Sequence, residues 1–217
     1  MNSIRSLASL FVLQSCLVCG SNLQDKSKLC AKCSLATTLR LRRGSVGELP
    51  HYYALEYNAV TSKLILLAKE DNLRQAREIL AAAITFAIKE LLAREENRIN
   101  LIPIPSRPAA TRQRGFLHTQ ELGLSATQLI PTSGIKVLPI LEIFGKVKDQ
   151  SALSAKERYQ NIHKMVRVKR SAEIPGATEL NILFDDLVTT GASALEAVRA
   201  LKAVNLPIWG LISACAT

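Results

Sequence analysis

The sequence predicts an α/β fold: a parallel-rich sheet with flanking helices over residues 48–217, preceded by a small cysteine-bearing module and linker in residues 1–47. Three observations predict it. Apolar runs at 99–105, 181–184 and 207–215 read as short buried strands. Residues 73–94 place Ile79, Leu80, Ala83, Ile84, Ala87, Ile88, Leu91 and Leu92 at three- and four-residue intervals, the pattern of an amphipathic helix lying on a sheet. Four cysteines cluster at 16, 19, 30 and 33, ahead of any strand–helix alternation.

The chain has 217 residues, which suits one α/β domain and an accessory module. Hydrophobic residues make up 48% and aromatics only 5%, so the core is built from Leu, Ile, Val and Ala. That share argues against the aromatic platforms used to stack single-stranded nucleic acid. The net charge of +10 is uneven: residues 101–170 carry twelve basic and four acidic groups, and residues 171–217 carry two and five. A basic middle suits a pyrophosphate ligand or a nucleic acid. No apolar run approaches the ~18 residues that would span a bilayer. Arg5, the run 7–13 and Cys16 loosely mimic a lipoprotein signal, but the run is short. Clustered rather than dispersed cysteines point to a reducing, cytoplasmic setting.

In chain order, residues 7–12 could form one face of a short helix. Cys16-x-x-Cys19 and Cys30-x-x-Cys33 follow, ten residues apart. Two such pairs can hold one tetrahedral ion, and zinc is the default for four thiolates. Two disulfides, a redox pair and an iron–sulfur cluster are the competing readings. Residues 37–47 read as a linker, 51–57 as a strand, 60–68 as a helix and Asp71-Asn72 as a break. After the strand at 99–105, Arg107, Arg112 and Arg114 lie on a loop at the sheet's C-terminal edge, where open α/β sheets bind ligands. A helix is expected over 119–130 and a strand over 137–140. The polar, basic stretch 146–161 and the alternating 164–169 then read as a flap. Its Lys156 and Arg158 could close over a pyrophosphate; a plain exposed hairpin is the alternative.

Residues 181–199 organise the rest. Ile182, Leu183 and Phe184 form a strand that ends in Asp185 and Asp186. The small-residue turn Thr189-Thr190-Gly191-Ala192-Ser193 follows, and Leu195, Val198 and Leu201 then recur at helical spacing. The first amides of a helix lack internal partners and favour a phosphate. Gly191 admits close approach, and the hydroxyls add donors. The acids repel a phosphate but can accept from vicinal hydroxyls such as those of ribose. A strand–turn–helix with a capping residue and two solvated acids is the alternative.

This stretch resembles the ribose-phosphate signature of the type I phosphoribosyltransferases. Taken in order, a longer series resembles the ComF family of bacterial competence proteins: four N-terminal cysteines, Pro103-Ile104-Pro105 leading to Arg114-Gly115-Phe116, Gln150 before Leu153-Ser154 and the Arg158/Asn161 pair, and Asp185-Asp186 before Thr189-Thr190-Gly191. That family usually continues Arg-Gly-Phe with Asn-Gln, where this chain has Leu117 and His118; Lys164-Met165 also departs from it. The resemblance implies a phosphoribosyltransferase-type sheet behind a structural Zn²⁺ module. It implies a site for phosphoribosyl pyrophosphate (PRPP) or a nucleotide-like ligand, with Mg²⁺, formed by Asp185, Asp186, Thr189, Thr190, Gly191, Ala192, Ser193 and Arg114. Asp185, Asp186, Lys156 and Arg158 would carry any transfer to a nitrogen nucleophile. It also implies a role in DNA uptake during transformation, with single-stranded DNA, a competence helicase or other uptake proteins as partners. The alternative is a non-catalytic factor that binds DNA or a helicase through the zinc module and basic surface.

Overall fold

Strands that are apolar on both faces need cover on both faces. The computed structural model, which describes residues 14–92, 98–130, 134–145, 157, 162–176 and 179–217, shows how this chain provides it. A two-stranded hairpin of β1 (Gln14–Ser15) and β2 (Asn22–Leu23) and a short helix α1 (Ala31–Leu35) carry the four cysteines. Next come β3 (Arg42–Val46), β4 (Leu49–Glu56), α2 (Ala59–Lys69), α3 (Arg74–Leu92) and β5 (Ile99–Pro103). Helices α4 (Pro108–Arg114) and α5 (His118–Gln128) lead to β6 (Ile135–Val137), then β7 (Leu141–Ile143) and β8 (Val166–Val168). The chain closes with β9 (Leu180–Val188), α6 (Ala192–Lys202) and β10 (Gly210–Ala216).

Six strands form one sheet in the order β3-β4-β10-β9-β5-β6, parallel except for the antiparallel edge strand β3. One core lies on the face covered by α2, α3 and α5, around Leu64, Leu80, Ile84, Leu122, Ile182 and Phe184. A second lies on the face covered by α6 and the β7–β8 hairpin, around Leu141, Val166, Leu183, Ala197, Leu201 and Leu211. Strands β5 and β10 are buried along their whole length, which explains their largely apolar sequences.

Topology positions the site. From β9 the chain crosses through α6 to β10 on one side; from β5 it crosses through α5 to β6 on the other. The two helices cover opposite faces. The adjacent C-terminal ends of β9 and β5 are therefore a switch point, where the loops after the two strands part and leave a crevice. The Ile104 N–H donates to the Phe184 carbonyl at 3.0 Å and ties the two strands at that level.

The amphipathic helix, the break at Asn72 (φ 51°), and the strands at 99–103 and 210–216 follow the sequence reading. Helix α2 starts at Asn58, whose side chain accepts from the Val60 and Thr61 amides, while the Thr61 hydroxyl accepts from the Asn58 amide. Three expectations change. Residues 42–46, read as linker, are strand β3, paired with β4 through a tight turn at Gly47 (φ 59°). The arginine-bearing loop contains helix α4, because Pro108 sits in its first turn, two alanines follow, and Gly115 closes it in the left-handed conformation. Of the strand expected at 137–140 only Val137 is in β6; residues 138–140 connect the main sheet to β7, which starts at Leu141. Expectations for residues 7–12 and 146–156, and for Arg158, fall outside the described residues. Among the described residues, no helix is long and apolar enough to cross a membrane.

Helix α5 approaches β9 so closely at Gly123 that an added Cβ would lie 2.4 Å from the Phe184 ring. That ring is fully buried and has nowhere to move. Gly123→Ala is therefore expected to destabilise the fold by about 1–2 kcal/mol in urea unfolding, because overpacking outweighs alanine's better helix propensity.

Candidate functional site

Strand β9 does not stop at the acids; it runs through Asp185 and Asp186 to Val188, so the turn is confined to residues 189–191. Gly191 precedes α6 with φ 72°, and an added Cβ would lie 2.3 Å from Val46 Cγ1. Both the backbone angle and the packing of edge strand β3 therefore require glycine here. The Gly191 carbonyl accepts the Leu195 N–H at 3.0 Å, which opens the helix. The Ala192 amide has a long contact of 3.5 Å with Thr190 Oγ1. Thr189 and Thr190 are exposed, Ser193 is half-buried and Ala192 is buried. The first turn of α6 contains no acidic residue to compete for an anion. Residues 189–193 are thus brought together at a helix tip in the switch-point crevice.

The two acids have different surroundings. Asp186 is buried on the side of the strand that faces α2 and α5. Its Oδ2 lies 3.0 Å from Lys69 Nζ and 3.2 Å from His118 Nε2, and its Oδ1 accepts the Leu187 N–H at 2.8 Å. Burial alone would push its pKa up; the Lys69 ammonium and His118 outweigh burial and hold it well below the usual carboxylate range. Asp186 in turn raises the pKa of Lys69. Asp185 is half-buried, and its Oδ1 accepts the Asp186 N–H at 2.8 Å. Desolvation, then the neighbouring charge of Asp186, push Asp185 well above the ordinary value.

Arg114 ends α4 with its side chain only 6% exposed and Nε 3.6 Å from Glu70 Oε2. Its Nε and Nη1 have no hydrogen-bond partner among the described residues. Arg112 is exposed and Arg107 half-buried. Lys156 and Arg158 lie outside the described residues. The flanking strands β7 and β8 do form an antiparallel hairpin, as a flap reading requires. A cavity of about 310 Å³ opens between that hairpin and the loop after β5, with Ser106, Thr111, Arg112, Leu141, Ile143 and Lys169 among its lining.

Lys69 and His118 were not among the candidate residues. Lys69 looked like one more solvated lysine in a helix, and His118 stood out only as a departure from a family pattern. No local pattern signals a partner so far along the chain. His51, given no role from sequence, is an interior histidine: its Nε2 lies 2.8 Å from Ser213 Oγ, and burial pulls its pKa down to about 4.

The four cysteine sulfurs lie within 4.8 Å of one another, and none is in a disulfide. Cys19 and Cys30 Sγ are 3.6 Å apart, near the ~3.8 Å edge of a tetrahedron with Zn–S bonds of about 2.3 Å. Burial and the neighbouring sulfurs push Cys33 up to about 12, a repulsion that a divalent cation at the centre removes. The cluster fits one structural zinc ion. Lys28 pairs with Glu78 of α3, which also holds Arg74, and Val18 and Leu29 pack on the first core.

Two outcomes follow from these environments. Because the folded-state pKa of Asp185 is raised, the native state binds its proton more tightly than the unfolded chain does. The resulting stability is full below the unfolded value of about 4 and is lost as pH rises. Asp185→Asn should therefore raise the melting temperature at pH 7, with the gain vanishing below about pH 4. Purified protein should contain one zinc per chain by mass spectrometry, and Cys19→Ser should lower both zinc content and melting temperature.

No protein-family profile matches the sequence, and no curated protein sequence matches it. Among solved structures the chain is similar to an adenine phosphoribosyltransferase at 14% identity and a TM-score of 0.44, over 85% of this chain and 88% of that one. It is similar to adenine phosphoribosyltransferase from Saccharomyces cerevisiae complexed with D-2,5-dideoxy-2,5-imino-altritol 1,6-bisphosphate and adenine, at 13% identity and 0.42, over 86% and 87%. It is also similar to orotate phosphoribosyltransferase from Mycobacterium tuberculosis H37Rv, at 17% identity and 0.32, over 84% and 79%.

Proposed function

We propose that the protein binds PRPP or a related ribose 5-phosphate at the switch-point crevice and transfers the phosphoribosyl group to a nitrogen nucleophile. The observation that carries this reading is one stretch of chain at the switch point: a helix tip at residues 189–193 open to an anion, directly after a strand end bearing Asp185 and Asp186. The amides and hydroxyls of 189–193 hold the 5′-phosphate, and the acid pair orients the sugar through its hydroxyls. In the transfer, the C1–O bond to pyrophosphate breaks with its electron pair leaving on pyrophosphate. A C1–N bond forms, and the nucleophile's proton passes to solvent. The chain contributes mainly positioning and charge stabilisation. Arg114, with two nitrogens that lack a hydrogen-bond partner among the described residues, and the Lys156/Arg158 segment are the cations nearest in role to the departing charge.

Mg²⁺ would enter with the pyrophosphate and neutralise part of its charge. Among the described residues the cysteine cluster is the one group of three or more ligating side chains, so the acid pair fits an ion carried by the ligand rather than a protein cage. The cavity between the hairpin and the loop after β5 offers room for the nucleophile.

A second reading, a DNA- or helicase-binding competence factor, is supported by the net charge of +10 and by a surface stack of Arg43, Tyr52 and Trp209. The resemblance to the ComF family supports either reading in the setting of DNA uptake. Calorimetric titration of zinc-replete protein with PRPP, with and without Mg²⁺, separates them. The transferase reading expects one PRPP per chain and loss of binding in Gly191→Val. No PRPP binding, together with oligonucleotide affinity that falls steeply with salt, would favour the second.

A further inference from the structure

We propose that Lys69 and His118 are positioning residues that divide the acid pair: they hold Asp186 inward as an anchor and leave Asp185 as the carboxyl that exchanges a hydrogen bond with a sugar hydroxyl. This rests on the ribose-phosphate reading above and sharpens it, since that reading gives both acids the same task.

The division follows from how each oxygen is occupied. Asp186 Oδ2 accepts from Lys69 Nζ at 3.0 Å, His118 Nε2 lies 3.2 Å from it without the alignment of a hydrogen bond, and Oδ1 accepts the Leu187 N–H at 2.8 Å. These partners come from three elements: the last residue of α2, the first of α5, and β9 itself. The His118 side chain is fully buried, and that of Asp186 is 4% exposed. A ligand could reach this carboxylate only by displacing a buried ion pair, which is costly when it leaves an uncompensated charge. Asp185 leaves the strand on the other side, because successive Cβ atoms alternate, while its carboxyl stays beside that of Asp186. One of its oxygens accepts the Asp186 N–H, and the group is half-buried, so Oδ2 is the carboxyl oxygen of the pair left for a ligand. Anchoring Asp186 fixes the β9 backbone through the Leu187 N–H, and with it the aim of Asp185.

The test compares dissociation constants of ribose 5-phosphate with those of its 2-deoxy and 3-deoxy analogues, measured by calorimetry at one pH. Wild type should bind at least one deoxy analogue about fivefold or more weakly than ribose 5-phosphate, the effect of losing one hydrogen bond. Asp185→Ala, which removes the hydrogen-bonding group, should bring that ratio to within about twofold of unity. Asp186→Asn should weaken all three sugars alike and keep the ratio. If Asp186→Asn does not fold, Lys69→Met with Asp186→Leu removes the pair together and takes its place, since an apolar replacement of both partners is tolerated. His118→Gln, similar in size and still polar, should bind the three sugars as wild type does, and His118→Leu should weaken all three alike and keep the ratio, as Asp186→Asn does. A merely structural role for His118 would lower the melting temperature in both without weakening any of the sugars, and would overturn its positioning role. Loss of the ratio in Asp186→Asn at an unchanged melting temperature would overturn the division of labour, as would a wild type that binds all three sugars equally. A wild type that binds none of them defeats the ribose-phosphate reading itself.

Discussion

The ion cluster around Asp186 is the constraint on which the upper edge of the sheet depends. A carboxylate buried in a parallel sheet needs partners, because removing one side of such a pair costs about 3–5 kcal/mol. The partners here come from elements far apart in sequence. Lys69 must end α2 at the C-terminal edge of the sheet, and His118 must begin α5 there. Those two requirements fix where two helices on one face terminate and start. They also fix the short connection that holds α4, Gly115 and Phe116, whose ring meets His118 edge-on at 6.3 Å. The crevice is therefore framed by charge pairing as well as by the apolar layers beneath it.

A second buried carboxylate does similar work on the opposite face. Glu196 of α6 is 2% exposed. It accepts from the Val166 N–H and from Arg199, and Arg199 in turn donates to the Val166 carbonyl at 2.7 Å. Helix α6, whose tip forms the anion cradle, is thus fastened by its side chains to the main chain of β8, the returning strand of the hairpin. The cradle and the base of the hairpin share one rigid support. A group held by the first is consequently at a fixed distance from the strands that flank residues 146–161.

How much of this was legible in the sequence depends on the range of each interaction. Residues 189–193 and the cysteine pairs could be read directly, because a helix tip and a tetrahedral thiolate site are built from neighbours in sequence whose types betray their task. The long helix and the buried strands could be read from periodicity, since burial selects apolar residues at fixed spacing. Strand β3 could not, because Arg42, Arg43, Gly44 and Ser45 carry no strand pattern; as an edge strand it needs only one partner, and Val46 matters through its contact with Gly191. Helix α4 was obscured by its arginines, although Pro108 and Gly115 mark its ends. The separate fates of Asp185 and Asp186 were invisible. Adjacent, identical residues in a strand face opposite sides, and which side holds Lys69 and His118 is decided only by the fold.

The chain's charge works at two ranges. The excess of basic groups in 101–170 produces a field that draws anions toward the sheet edge, but in physiological salt that field decays over about 8 Å. Within that distance the short-range arrangement takes over, and there the cradle lies directly after Asp185 and Asp186. A phosphate is accepted at such an edge only where oriented amides outweigh the nearby carboxylates. Pairing Asp186 with Lys69, and favouring a proton on Asp185, removes most of the local negative charge without removing the carboxyl groups themselves. The buried cluster therefore does two things at once: it shapes the crevice, and it makes an acid pair compatible with an anion cradle four residues away.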